Sequence, residues 1–158
     1  MNIFAELRAG VITRSAEETR RLGARLAAAL APDGTLALHG DLGVGKTTFV
    51  QGLARGFGIN DPVTSPTFNI LHLYRGTAAP GRARRKAGCR GARMLVHLDA
   101  YRLENAHQVS ELMLEDFLVS PYCLAIEWPE RIAAWLPADA LHLTLAIEAP
   151  GQHRIALR

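Results

Sequence analysis

Leucines at positions 22, 26 and 30 recur every four residues ahead of Pro32, and the segment opens on Ser15-Ala16-Glu17-Glu18, a capping-box pattern. That periodicity predicts a helix. After the Asp33-Gly34 turn, the short apolar run Thr35 to His39 predicts a strand leading straight into a glycine-rich stretch. Phe49, Val50, Leu53 and Phe57 then mark the apolar side of a second helix, which Gly58 stops. Phe68 to Tyr74 is the next predicted strand. Met94 to Leu98 and Tyr122 to Ile126 read as buried strands, and each runs into a carboxylate, Asp99 and Glu127. Between them Val109, Leu112, Met113, Asp116 and Phe117 predict one helix, with Pro121 at its exit. Leu141 to Ile147 and His153 to Leu157 predict a closing β-hairpin through Pro150-Gly151. Strands alternating with helices, then a hairpin, predict an α/β fold whose mixed central sheet is flanked by helices.

At 158 residues the chain is long enough to bury a core without staples, and it is expected to form a single domain. Its 49% apolar and 21% charged residues exclude disordered or fibrous classes. The longest apolar runs, such as Leu26 to Ala31, fall far short of the roughly 20 residues that span a bilayer. Glu6, Glu17 and Glu18 interrupt any signal-like region, so a cytoplasmic location without membrane attachment is expected. Cys89 and Cys123 are isolated thiols with no metal or disulfide spacing.

Charge changes the picture in one place. Of the 18 basic residues, Arg75, Arg82, Arg84, Arg85, Lys86, Arg90 and Arg93 fall together without an acidic residue among them. The 11 others face 15 acidic residues, so the remaining chain is acidic and the net charge of +3 does not describe a uniformly basic surface. Gly76 to Arg93, rich in Gly, Ala, Pro and Arg, has no hydrophobic period and is expected to be a basic loop insertion at 76–93.

Gly40-Asp41-Leu42-Gly43-Val44-Gly45-Lys46-Thr47 fits GxxxxGK followed by Ser or Thr, between a predicted strand and a predicted helix. This is the pattern of a P-loop that binds ATP with magnesium. Its glycines let the backbone N–H groups close round phosphates, and the helix start adds positive potential. Lys46 would supply a charge to the outer phosphates and Thr47 a hydroxyl to magnesium; Thr48 is a neighbouring phosphate contact or simply packed. Such a site also needs a carboxylate at a strand end, and Asp99 and Glu127 both qualify. One would hold metal and the other handle water. Ser65-Pro66-Thr67 could swing a hydroxyl toward the terminal phosphate, although on the residues alone a turn opening a strand is the simpler reading. The six histidines are scattered and offer no ligand spacing.

Four segments together carry a resemblance along almost the whole chain. They are Gly40 to Phe49, Ser65-Pro66-Thr67-Phe68, His97-Leu98-Asp99-Ala100-Tyr101-Arg102-Leu103, and Ile126-Glu127-Trp128-Pro129-Glu130-Arg131. In this order and spacing they resemble the TsaE family, bacterial P-loop ATPases of tRNA threonylcarbamoyladenosine biosynthesis. The resemblance implies slow ATP hydrolysis beside TsaB- and TsaD-type partners, with TsaD performing the transfer to the adenosine beside the anticodon, and tRNA reached through the complex. It implies that Lys46 and Thr47 are the Walker A residues, that Glu127 is the Walker B magnesium residue, and that Asp99 lies in a second acidic motif. It also makes Thr67 a switch-like threonine and Trp128 a residue that stacks on or buttresses the nucleotide. Two features depart from the family pattern: Met113 stands where a glycine is expected, and the 76–93 stretch is longer and more basic than usual. Two other functions remain open at this point. A small-molecule kinase would use the same loop, with the arginines at 82–90 as a lid, and a nucleotide-dependent interaction module would use ATP to order a binding surface.

Overall fold

The computed structural model describes residues 2–66, 68–77 and 93–158. Among these, eleven regular elements follow in the order α1 (Ile3–Ala9), β1 (Val11–Thr13), α2 (Ala16–Ala29), β2 (Gly34–His39), α3 (Lys46–Gly56), β3 (Leu71–Arg75), β4 (Met94–Asp99), α4 (Ala106–Glu111), β5 (Tyr122–Glu127), β6 (Leu141–Ala149) and β7 (Gln152–Leu157). The strands form one sheet in the order β1-β7-β6-β2-β5-β4-β3. Its centre, β6-β2-β5-β4, is parallel, whereas β1, β7 and β3 join antiparallel. The expected α/β architecture with a mixed sheet and a C-terminal hairpin is the one observed.

Strand alternation divides the core. Leu36, Leu38, Leu95, Cys123 and Ala125 pack with Leu22 and Leu26 of α2 and Phe49, Val50 and Leu53 of α3. Val96, Leu98, Leu124 and Ile126 alternate with them and meet Val109, Leu114 and Ile132 in a second cluster. Because both faces are covered, every residue of β4 is buried, which explains its run of apolar residues, interrupted only by His97, up to the polar end. Burial pushes the Cys123 thiol up to about 12, against the opposing charge of Arg93, so this core cysteine is no nucleophile.

The first helix expected from the leucine spacing is α2. Ser15 Oγ accepts from Glu18 N at 3.1 Å, while the Glu18 carboxylate reaches one residue further back, accepting from Arg14 N at 2.7 Å. Glycines seat α2 against α3. A Cβ on Gly52 would stand 2.2 Å from Arg20 O, and one on Gly23 would stand 2.5 Å from Phe49 O. Both obstacles are backbone and cannot rotate away. Gly52→Ala is therefore expected to cost about 2–3 kcal/mol through overpacking, read as a lowered denaturant midpoint at unchanged slope. A midpoint equal to wild type would show that the helices part freely.

Two elements differ from the sequence expectation. The strand expected from Phe68 begins only at Leu71, because Ile70 adopts φ 65° and its N–H donates to Pro66 O at 2.8 Å, turning the chain. Phe68 is consequently exposed. The helix expected across 109–117 is two pieces: α4 stops at Glu111, and a short 3-10 turn, Leu114–Asp116, follows Met113. Met113 has φ 51° and ψ 47°, a left-handed conformation that breaks the helix and suits the glycine expected there.

Candidate functional site

The parallel register sets the site before any side chain is considered. Asp99 pairs with Glu127 and Leu38 with Glu127, so the carboxylates at the ends of β4 and β5 lie beside the end of β2, where the P-loop begins. This is the C-terminal edge of a parallel sheet, where α/β folds bind ligands. Alternation then turns His97, Asp99 and Glu127 to the face covered by α3.

Gly40, Gly43 and Gly45 have φ of 142°, 80° and 101°, a backbone that other residues adopt only with strain. A Cβ at Gly40 would also stand 2.3 Å from Leu145 O of the neighbouring strand. His153 of β7 braces the loop from outside, its Nδ1 lying 2.8 Å from Val44 O. Gly45 caps α3 without any side-chain hydrogen bond. The first N–H groups of that helix are thus left for an external acceptor.

Lys46 is 5% exposed. Its Nζ donates to Gly40 O at 2.5 Å and Asp41 O at 2.8 Å, and it lies 4.2 Å from the centre of the Trp128 ring. Burial pushes the ammonium below the usual lysine range; Glu127, Glu130, Asp99 and Asp41 pull it back in part. Trp128 holds this position from a left-handed backbone, φ 57°, just after β5. Tyr101 packs on Trp128 at 5.0 Å between centroids, and the Arg131 guanidinium lies 5.5 Å from the Tyr101 ring. Two packed rings flanked by a cation at each end, Lys46-Trp128-Tyr101-Arg131, therefore lead from the Gly40–Thr47 loop outward.

Thr47 Oγ1 donates to Glu127 Oε1 at 3.0 Å, and His97 Nε2 contacts the same oxygen at 2.9 Å. Burial pushes the Glu127 carboxyl up, but the His97 hydrogen bond and charge, the Thr47 hydroxyl and Lys46 outweigh it and hold the group below the usual carboxylate range. Glu127 is accordingly ionised at neutral pH. Asp99 is engaged differently: its Oδ1 accepts from Tyr101 N at 2.9 Å, which shapes the turn after β4.

The family model for "Threonylcarbamoyl adenosine biosynthesis protein TsaE" matches residues 13–155. The chain belongs to the TsaE family. It is 32% identical over 146 residues to the tRNA threonylcarbamoyladenosine biosynthesis protein TsaE of Treponema pallidum, covering 92% of this chain and 97% of that one. It is also 34% identical over 133 residues to the protein of that name from Bacillus subtilis, covering 84% and 74%. The crystal structure of Bacillus subtilis YdiB superposes with a TM-score of 0.70 and 28% identity, over 94% of this chain and 82% of that one. The Gly40–Thr47 loop thus belongs to a chain whose family is that of tRNA threonylcarbamoyladenosine biosynthesis.

Of the residues singled out from this TsaE-family sequence, Lys46 contacts the Trp128 ring, Thr47 hydrogen-bonds Glu127, and Asp99 lies beside Glu127 in the sheet register. Asp41, Leu42, Gly43, Val44 and Gly45 form the loop, and Thr48 is half-buried one residue further along α3. Thr67 and residues 78–92 lie outside the described residues. His97, Tyr101 and His153 were not singled out individually. His97 carried a detectable signal, standing two residues before Asp99 and so on the same face of one strand. The contacts of His153 depend on β7 folding back beside the loop, which local spacing does not reveal.

The donor set suits magnesium, a hard cation that takes oxygen ligands and keeps nucleotide phosphates and water among them. Thr47 donates its proton to Glu127, leaving hydroxyl lone pairs for a cation, and both nearby carboxylates are hard oxygen donors. Among the described residues there is no group of three or more His, Cys, Asp and Glu side chains arranged to hold a metal without a nucleotide. No helix among the described residues is long and apolar enough to cross a membrane.

Proposed function

We propose that this chain binds ATP with magnesium in the Gly40–Thr47 loop, hydrolyses it, and so supports threonylcarbamoylation of the tRNA adenosine beside the anticodon by TsaB- and TsaD-type partners. The observation that carries the reading is the meeting of Lys46, Thr47 and Glu127 at one loop and strand edge, within a chain of the TsaE family. TsaD would perform the transfer, and tRNA would be reached through the complex.

In this reading the uncapped N–H groups at the start of α3 and the loop from Asp41 to Thr48 hold the phosphates. Lys46 exchanges its carbonyl partners Gly40 O and Asp41 O for phosphate oxygens, and an anion there favours its charged form. Trp128 limits where the ammonium can move and buttresses the nucleotide. Thr47 and Glu127 would hold magnesium, Glu127 through the ion's water shell. When bound, magnesium would neutralise charge developing on the outer phosphates. Asp99, beside Glu127 and anchored by the Tyr101 turn, would orient the attacking water, and Thr67 would serve as the switch-like threonine that the family resemblance implies. Incubation with ATP and candidate acceptors tests the reaction class: phosphate released to water supports this reading, and a phosphorylated acceptor would replace it with a kinase.

The same proposal treats the chain as one domain with 76–93 as a basic insertion. Deleting 78–92 is expected to leave intrinsic ATP hydrolysis within about twofold, because the Lys46, Thr47 and Glu127 contacts do not involve that segment. Collapse of hydrolysis in the deletion variant would place a catalytic element there. If the segment meets tRNA phosphates, assembly of the intact complex falls more steeply with salt than assembly of the deleted one.

A further inference from the structure

We propose that His97 is a positioning residue for magnesium-nucleotide binding, fixing the Glu127 carboxylate so that Glu127 and Thr47 act on the metal together; this rests on the magnesium-ATP reading above. His97 is fully buried at the centre of β4, between Val96 and Leu98, in a strand otherwise apolar until Asp99. Its Nε2 lies 2.9 Å from Glu127 Oε1, the oxygen that also accepts from Thr47. An ionised carboxylate only accepts, so Nε2 must be the donor. Two donors reaching one oxygen from different elements, β4 and α3, restrict the rotation of the Glu127 side chain more than either does alone.

The other ring nitrogen identifies what the imidazole is for. Nδ1 is buried with no hydrogen-bond partner among the described residues. An unpaired buried polar atom is destabilising, and a leucine at this core position would avoid it. Among the described residues, the His97 side chain therefore brings the fold no hydrogen bond except the one to Glu127. Groups that orient a metal-binding side chain in this manner typically change metal affinity about 10- to 100-fold when removed.

The test compares ATP affinity with magnesium and with EDTA, by calorimetry on the full chain. Wild type should bind ATP more tightly with magnesium, and absence of that increment would contradict the magnesium-ATP reading itself. Given the increment, His97→Leu should reduce magnesium-ATP affinity about tenfold or more, leave affinity in EDTA within twofold, and melt no lower than wild type. His97→Gln, whose amide can reach toward Glu127, should recover most of the increment, whereas His97→Asn, with a shorter reach, should not. In a Glu127→Gln background His97→Leu should have little further effect. A wild-type increment in His97→Leu, or equal losses with and without magnesium, would overturn the proposal. Should His97→Leu fail to fold, the Gln and Asn variants decide: Gln retaining the increment and Asn losing it supports the role, and equal behaviour overturns it.

Discussion

Lys46→Ala is expected to weaken ATP binding about 30-fold to several thousandfold, the equivalent of about 2–5 kcal/mol for removing one partner of a desolvated charge pair. The site's geometry makes the loss specific. Lys46 is the buried cation of the loop, held by two loop carbonyls and an aromatic ring, and its burial already disfavours the ammonium. Removing it deletes a costly buried charge, so the folded state without nucleotide should melt close to wild type. The deficit should appear on adding ATP. Thr47→Ala is expected to abolish useful turnover by another route, losing the hydroxyl between α3 and Glu127 while His97 stays on the carboxylate. Its deficit should be largest in magnesium. Nucleotide titration with and without magnesium separates the two; unchanged binding and turnover in either variant would remove that residue from the site.

Glu127→Gln should lower magnesium-dependent ATP affinity more than Asp99→Asn, by about tenfold to a hundredfold. The contacts dictate the order. Glu127 carries the hydrogen bond from Thr47, whereas Asp99 uses Oδ1 to hold the Tyr101 N–H. Asn at 99 keeps an acceptor for that turn, so the fold and magnesium-ATP binding should largely survive while turnover falls. Gln at 127 keeps one acceptor for two donors but loses the charge that faces Lys46. Measuring magnesium-ATP affinity beside single-turnover hydrolysis distinguishes binding from chemistry. The reverse order would exchange the roles of the two carboxylates.

What the sequence revealed follows from the range of each interaction. The tight Gly40–Thr47 loop was legible because its glycines, Lys46 and Thr47 are contiguous and their backbone geometry is local. Asp99 and Glu127 were legible as strand ends because β4 and β5 are largely apolar runs that end on a carboxylate. The short strand β1, with only three residues, carries no measurable period and exists because β7 pairs with it. The left-handed residues Ile70 and Met113 interrupt otherwise plausible apolar patterns, and neither is a residue type that announces such a conformation. His97 was obscured because its partner is 30 residues away, across a parallel strand pair whose register no local spacing specifies. The close approach of α2 and α3 was hidden similarly, in Gly23 and Gly52, which read alone as weak points within helices.

The central claim is that ATP handled at this loop supports tRNA modification by partner proteins, and reconstitution tests it most directly. Purified TsaB- and TsaD-type partners, tRNA and ATP would be combined with wild-type chain, with Lys46→Ala, or with neither, and threonylcarbamoyladenosine measured over time. The predicted result is sustained modification with wild-type chain and only background with Lys46→Ala or with none. Equal modification in all three reactions would contradict the account.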